Sequence, residues 1–290
     1  MSKFTHFLTQ KNVQNLTKYG IIFSSMKAEQ KFVVTGDIHG RYENLMSCIS
    51  RYENEDVQLV SIGDAIDAPD YGDSKKTVDL LLEVGAICVS GNHEWTVGAS
   101  MNENEREAQE VWARSIWPYH HTDMLRAYGT NLDLPKNPSA KVALDAVNKL
   151  RDSITKAGHD RYFYGLLPYF EAEGFLAVHA GITSEEWTGQ GGQKEALDIS
   201  ANPNSDGFNW SSEPPQIFDI WPYTLSTSKD VPNGFHKSLV TGHYHYNQGV
   251  DNRVSQDGRR IRLGSVLHKN APLFIWESWS GEVVPIYAKA

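Results

Sequence analysis

The stretch Phe32-Val33-Val34-Thr35-Gly36-Asp37-Ile38-His39-Gly40 decides how this chain reads. Its apolar, β-branched start predicts a strand over Phe32–Val34, and a glycine-flanked turn carrying Asp37 and His39 follows at once. The same arrangement returns twice. Val57–Ile62 predicts a strand ending in Gly63-Asp64, and Ala86–Val89 one ending in Gly91-Asn92-His93-Glu94. Between them, Arg41–Tyr52 carries Leu45, Cys48 and Ile49 on one helical face, and Lys75–Val84 carries Val78, Leu81 and Leu82. Strands separated by single helices imply a parallel sheet with right-handed crossovers. In such sheets functional groups collect beyond the carboxyl ends of the strands, where Asp37, Asp64 and Asn92 all fall.

Further along, Trp95–Gly165 reads as a helical insertion. Val142–Ala157 is amphipathic through Val147, Leu150 and Ile154 and stops at Gly158, a C-cap. Trp112, Trp117, Tyr119 and Tyr128 predict an aromatic core belonging to that segment, and His120-His121 within it reads as structural. Ser184–Asn233 reads as a long loop, with Gly189-Gln190-Gly191-Gly192 and Pro214-Pro215. Strands are expected at Phe175–Val178, Ser238–Thr241, Arg260–Leu263, Pro272–Glu277 and Val283–Ala288, with a hairpin turn over Ser278–Glu282. A second sheet packed on the first makes a four-layer α/β/β/α sandwich. Residues 1–30 are expected to form an N-terminal extension, and residues 31–290 one α/β domain with the insertion at 95–165.

Composition sets the outer limits. The chain has 290 residues, 40% hydrophobic and 22% charged, enough for a sizeable core. Apolar runs such as Phe175–Val178 are far too short to cross a bilayer, so no membrane partner is expected. Met1–Gln30 has no apolar segment with a small-residue cleavage site and does not read as a signal peptide. Cys48 and Cys88 lack CxxC spacing and read as buried hydrophobes in a reducing compartment, which points to a cytoplasmic location. A net charge of −9 argues against non-specific nucleic-acid binding. Oligomeric state leaves no signal in the sequence.

Two later segments complete the polar set: His179 in Ala177-Val178-His179-Ala180-Gly181, and Gly242-His243-Tyr244-His245. Asp, Asn and His now occur in the number and order that suit two adjacent metal ions. Oxygen and imidazole donors suit Mn, Fe, Co, Zn or Mg better than a soft metal; which of the five is bound does not follow from the donors, and manganese is the expectation. Two cations about 3.5–4 Å apart can ionise a shared water and neutralise phosphoryl oxygens, which makes phosphate-ester hydrolysis the leading expectation.

The ordered set DxH, GD, GNHE, a lone His and GHxH resembles the calcineurin-like metallophosphoesterase superfamily. It lies nearest the phosphoprotein phosphatases and the bacterial diadenosine tetraphosphate hydrolases. The resemblance runs from about Lys31 to the C-terminus; the insertion and the long loop match poorly. It implies that Asp37, His39 and His245 bind one metal, Asn92, His179 and His243 the other, and that Asp64 bridges them. It also implies that a metal-bridging hydroxide attacks phosphorus while His93, oriented by Asp67, protonates the departing oxygen. Glu94 is assigned no chemistry and reads as a support for its turn or for a helix start.

The chain also departs from the phosphatase pattern. Asp67-Ala68-Pro69-Asp70 stands where those enzymes have Asp-Arg-Gly, and Trp221-Pro222 where a second phosphate-gripping Arg follows Trp. Arg41, Arg253 and Arg262 are the candidates to replace the two lost guanidinium forks. GHYH also replaces the usual GH followed by Thr-Pro. The expected activity is hydrolysis of phosphate monoesters of proteins or small molecules. The alternatives are a phosphodiesterase or dinucleoside polyphosphate hydrolase, and, in another class, a catalytically silent binding module.

Overall fold

The structure, a computed structural model, describes residues 30–67, 72–94, 97, 122–130, 139–167, 169–181, 235–243, 250–264, 268 and 270–289. Residues 1–29 of the N-terminal extension, most of 95–121 with His120-His121, the long loop and His245 lie outside the described residues. The elements in chain order are β1 (Lys31–Thr35), α1 (Tyr42–Arg51), β2 (Val57–Ser61), α2 (Ser74–Glu83), β3 (Ile87–Cys88), α3 (Thr122–Ala127), α4 (Ala140–Ala157) and α5 (Asp160–Tyr164), then β4 (Tyr169–Glu171), β5 (Phe175–Val178), β6 (Ser238–Thr241), β7 (Arg260–Arg262), β8 (Leu273–Glu277) and β9 (Val283–Ile286).

The fold is mixed α/β with two mixed sheets, ordered β3-β2-β1-β8-β9 and β4-β5-β6-β7. β1, β2 and β3 run parallel, with the antiparallel hairpin β8–β9 added at the β1 side. In the second sheet β5, β6 and β7 are parallel and β4 is antiparallel. β4 was not anticipated: three residues are too few to carry a periodic signal.

Alternation along the central strands explains the layering. Phe32, Val34, Val60, Ile62, Phe274 and Trp276 point into a core shared with Phe170, Phe175, Ala177, Val240 and Ile261 of the second sheet. The residues between them, Val33, Leu59, Leu273 and Ile275, face the helices instead. Strands apolar on both faces read as continuous apolar runs, which is how they stood out in the sequence. Aromatic rings clasp the two sheets together: Phe32 lies 5.3 Å from Phe170 and 5.5 Å from Phe175, and Phe175 lies 5.0 Å from Trp276. Each such pair adds about 0.5–1.5 kcal/mol beyond burial.

α1 and α2 cover the outer face of the first sheet with Leu45, Cys48, Ile49, Val78, Leu80 and Leu81. Leu80 takes the buried place expected of Leu82, which is only partly covered. Met124 and Leu125 of α3, Val147, Leu150 and Ile154 of α4, and Phe163 of α5 enter this same cluster. Among the described residues, the inserted helices therefore extend the main core instead of closing on one of their own. α4 ends as expected at Gly158, whose φ of 72° is the left-handed cap conformation. His159 also reads as structural: its ring bridges Asp79 at 2.8 Å and the Tyr128 hydroxyl at 2.7 Å. On the far side of the second sheet, Tyr169, Leu176, Val178, Phe235 and Leu239 form a separate cluster to which no described helix contributes. No described helix is long and apolar enough to cross a membrane.

Candidate metal centre and acid–base pair

Register brings the polar turns to one edge. Thr35 pairs with Ser61 and Ser61 with Cys88, so β1, β2 and β3 end level; Val178 pairs with Thr241 in the other sheet. The loops beyond them are in contact. A Cβ on Gly242 would stand 2.3 Å from the Asp37 Oδ1, and one on Gly63, at φ 93°, would stand 2.5 Å from the Gly91 nitrogen and 2.7 Å from the His179 Nδ1. Only glycine fits at either position. Four neighbouring residues with side chains also take positive φ: His39 (47°), Asp64 (50°), Asp67 (61°) and His243 (65°). Each such conformation costs on the order of 1–3 kcal/mol and persists only where its surroundings impose it.

Asp64 occupies the middle. Its Oδ2 lies 3.3 Å from the His179 Nε2, 3.8 Å from the His39 Nε2 and 3.9 Å from the His93 Nε2, and its Oδ1 accepts the His93 backbone N–H. It is shared by two candidate metal-holding groups, His39–Asp64–His93 and Asp64–His179–His243. Burial alone would favour its neutral form, but His179 and His93 hold the carboxyl well below the usual carboxylate range.

The histidines are oriented by backbone carbonyls. His39 donates from Nδ1 to the Asp67 carbonyl at 2.9 Å, and His179 from Nδ1 to the Ile62 carbonyl at 2.8 Å. Both rings therefore turn Nε2 toward Asp64, the arrangement expected of metal-ligating imidazoles. Burial, aided by the nearby His93, pushes His39 down to about 3, so it stays neutral at physiological pH.

The His179 Nε2, the Asn92 Oδ1 and the His243 Nδ1 form a triangle with sides of 2.9–3.1 Å. With its Nδ1 proton on the Ile62 carbonyl, neutral His179 presents an Nε2 lone pair beside the Asn92 Oδ1, and His243 brings a third donor atom to the same point. Sides of about 3 Å match the spacing of neighbouring ligands around a six-coordinate ion with bonds of about 2.1 Å. The surroundings of His179 favour positive charge. Burial opposes its protonation, yet Asp64 lifts it to about 9. The donor set fits a divalent cation. Asp37, fully buried, joins this side by accepting the His243 backbone N–H at 2.8 Å.

His93 is held differently. Its Nδ1 lies 3.2 Å from the Asp67 Oδ2, an acceptor-only group, so Nδ1 carries a proton. Burial disfavours the imidazolium, but Asp64 and the bond to Asp67 outweigh it and raise His93 to about 9. Its ring stands edge-on to His39 at 4.9 Å between centroids.

Sequence reasoning gave Glu94 too small a role. Its buried carboxylate accepts the N–H groups of Asp64 at 2.7 Å, Ala65 at 2.7 Å, Ile66 at 3.2 Å and Gly91 at 3.0 Å. It supports its own turn and also sets the loop that carries Asp64. Two of the three candidate phosphate-gripping arginines are otherwise engaged. Arg41 donates to the carbonyls of Ile38 at 2.9 Å, Pro272 at 3.1 Å and Asp37. Arg253, fully buried, donates to Arg262 and Gly264 carbonyls and stacks 3.3 Å from the Phe274 ring centre. Arg262 is partly buried at the end of β7.

Three solved structures are similar to this chain. A candidate diadenosine tetraphosphatase aligns over 91% of this chain and 96% of its own, at 15% identity and TM-score 0.46. A metallophosphoesterase from Sphaerobacter thermophilus aligns over 90% and 89%, at 17% identity and 0.45. A serine/threonine phosphatase from Saccharomyces cerevisiae with similarity to human PP5 aligns over 90% and 81%, at 14% identity and 0.49. No curated protein matches the sequence significantly. Residues 30–247 match the calcineurin-like phosphoesterases, and the chain belongs to that family.

Proposed function

We propose that this protein hydrolyses phosphate monoesters of proteins or small molecules with two divalent cations, manganese first among them. Asp37, His39 and His245 would hold one cation, Asn92, His179 and His243 the other, and Asp64 both. The observation that carries the reading is the position of Asp64, whose Oδ2 faces both the His39 and the His179 Nε2 atoms at 3.8 and 3.3 Å. A carboxylate between two preset imidazoles is the donor arrangement that a bridged metal pair requires. Cations bound there supply an ionised water as nucleophile and positive charge for the phosphoryl oxygens.

The protein's own groups do the rest. His93, with Nδ1 anchored on Asp67, turns Nε2 toward the Asp64 side of the site and can give up that proton to the departing oxygen. Asp67 holds the ring and stabilises its charged form before transfer. His39 and His179 present lone pairs because backbone carbonyls take up their Nδ1 protons.

A second reading, hydrolysis of diesters or dinucleoside polyphosphates, is favoured by one observation. Arg41 and Arg253 spend their guanidinium groups on backbone carbonyls, so neither is placed to grip a dianionic monoester. A diester carries one negative charge fewer at phosphorus. The test is metal-stripped protein reloaded with Mn²⁺ and assayed on p-nitrophenyl phosphate and bis-p-nitrophenyl phosphate in parallel. Metal-dependent release from the monoester supports the first reading, and a strong preference for the diester transfers the assignment to the second. No release from either ester, with both metal sites filled, leaves the silent binding module.

A further inference from the structure

We infer that Asp123, on the inserted helix α3, is a positioning residue for the reaction: through Ser74 it sets the backbone of Asp67, and with it the carboxylate that aligns His93. This rests on the phosphoester-hydrolase reading above and adds to it a role for the helical insertion.

The geometry is a three-link chain. The Ser74 hydroxyl donates to the Asp123 Oδ2, and the same carboxylate oxygen accepts the Ser74 backbone N–H at 3.3 Å. An ionised carboxylate only accepts, so it takes the single hydroxyl proton of Ser74 and leaves that oxygen as an acceptor. The Ser74 Oγ then accepts the Asp67 backbone N–H at 2.9 Å. Asp67 holds φ at 61°, a conformation that needs outside support. Its carbonyl receives the His39 Nδ1 proton and its side chain the His93 Nδ1 proton, so a shift in this one residue reaches both histidines. All three members are buried: Ser74 and Asp123 are 0% and 1% exposed and Asp67 3%. Arg126, one turn along α3, braces Asp123 at 2.8 Å and the Gly72 carbonyl at 3.1 Å, and the Asp73 N–H binds the Gly40 carbonyl at 2.8 Å. α3 thus holds Gly72, Asp73 and Ser74 against the turn that carries His39.

The chemical consequence is selective. A general acid contributes most when the departing oxygen is a poor leaving group and little when it is a good one. Asp123→Ala should therefore lower kcat/KM about 10–50-fold on phenyl phosphate but only about 2–3-fold on p-nitrophenyl phosphate. Ser74→Ala should do the same, while Asp123→Asn, which keeps an acceptor for Ser74, should recover most of the loss. A residue needed only for folding would lower both substrates by one common factor. Amide hydrogen exchange at Asp67 in the metal-free protein gives a readout independent of catalysis, and it should quicken about tenfold or more in both alanine variants. Equal losses on the two esters, or an unchanged Asp67 exchange rate, would overturn the inference. Absence of metal-dependent hydrolysis in the parent protein would instead refute the phosphoesterase reading, with the exchange measurement still deciding the Asp123–Ser74–Asp67 link.

Discussion

The two sides of the site are built by different means. On the proposed ligand side, His179 directly follows β5, and His243 stands two residues past β6. Each is fixed by one short hydrogen bond, His179 from its ring to the Ile62 carbonyl and His243 from its backbone N–H to the Asp37 carboxylate. On the proposed acid side, Asp67 stands six residues past β2, and its N–H is bonded to Ser74 of α2, which is bonded in turn to Asp123 of α3. Strand ends are stiff because the ladder on both sides holds them; a loop residue must borrow rigidity from what packs on it. Damage to the ligand side should therefore remove metal and activity together, whereas damage to the acid side should spare metal and slow turnover.

Asp64→Ala should abolish both metal occupancy and turnover, a loss beyond the ~10²–10⁴-fold expected from a missing general acid alone. Elemental analysis beside the ester assay checks it, and retained metal at full stoichiometry would contradict the bridging role. Gly242→Ala should approach the same result, since its methyl group would meet the Asp37 Oδ1. His93→Asn should keep both metals yet lower turnover by roughly 10²–10⁴-fold, the signature of the acid side. Unchanged turnover there would remove His93 from the mechanism.

Glu94→Ala sits between the two sides, because it strips acceptors from the N–H groups of Asp64, Ala65, Ile66 and Gly91 at once. It should destabilise the fold by about 3–5 kcal/mol and weaken metal binding by roughly 10–100-fold, measured by chemical denaturation and metal titration. Phe175→Ala should cost a similar ~3–5 kcal/mol by loosening the clasp between the sheets.

The smallest effect is a pH dependence. In the metal-free protein His179 is raised from 6.5 to about 9. The bound proton must leave before a cation takes its place, so metal affinity should rise by about tenfold per pH unit up to about 9 and level off beyond. Stability of the metal-free protein runs the opposite way. The contribution of His179 is fully present below 6.5 and is lost as pH rises through 9. Calorimetric titration in two buffers of different ionisation enthalpy would count the released proton.

Much of this was legible along the chain. β1, β2, α1, α2 and the close of α4 at Gly158 fall within a residue or two of their expected places, because strong apolar periodicity and glycine stops are local signals. The Asp, Asn and His residues stood out because they recur directly after strands. Glu94 was visible in Gly91-Asn92-His93-Glu94, but its targets on the β2 loop were not, since nothing local encodes which distant N–H groups a carboxylate meets. β4 and the sharing of one core by the inserted helices escaped for the same reason.

Residue order therefore carried the kinds of donor, the strands that present them and the family they belong to. Folding in three dimensions decided how they pair. It set Asp64 between the His39 and His179 rings and tied Asp67 to Asp123 of α3, and it committed Arg41 and Arg253 to backbone carbonyls. Backbone propensity and apolar spacing act over a few neighbours, whereas hydrogen bonds across 26 to 206 positions exist only once two sheets and an inserted helix have packed.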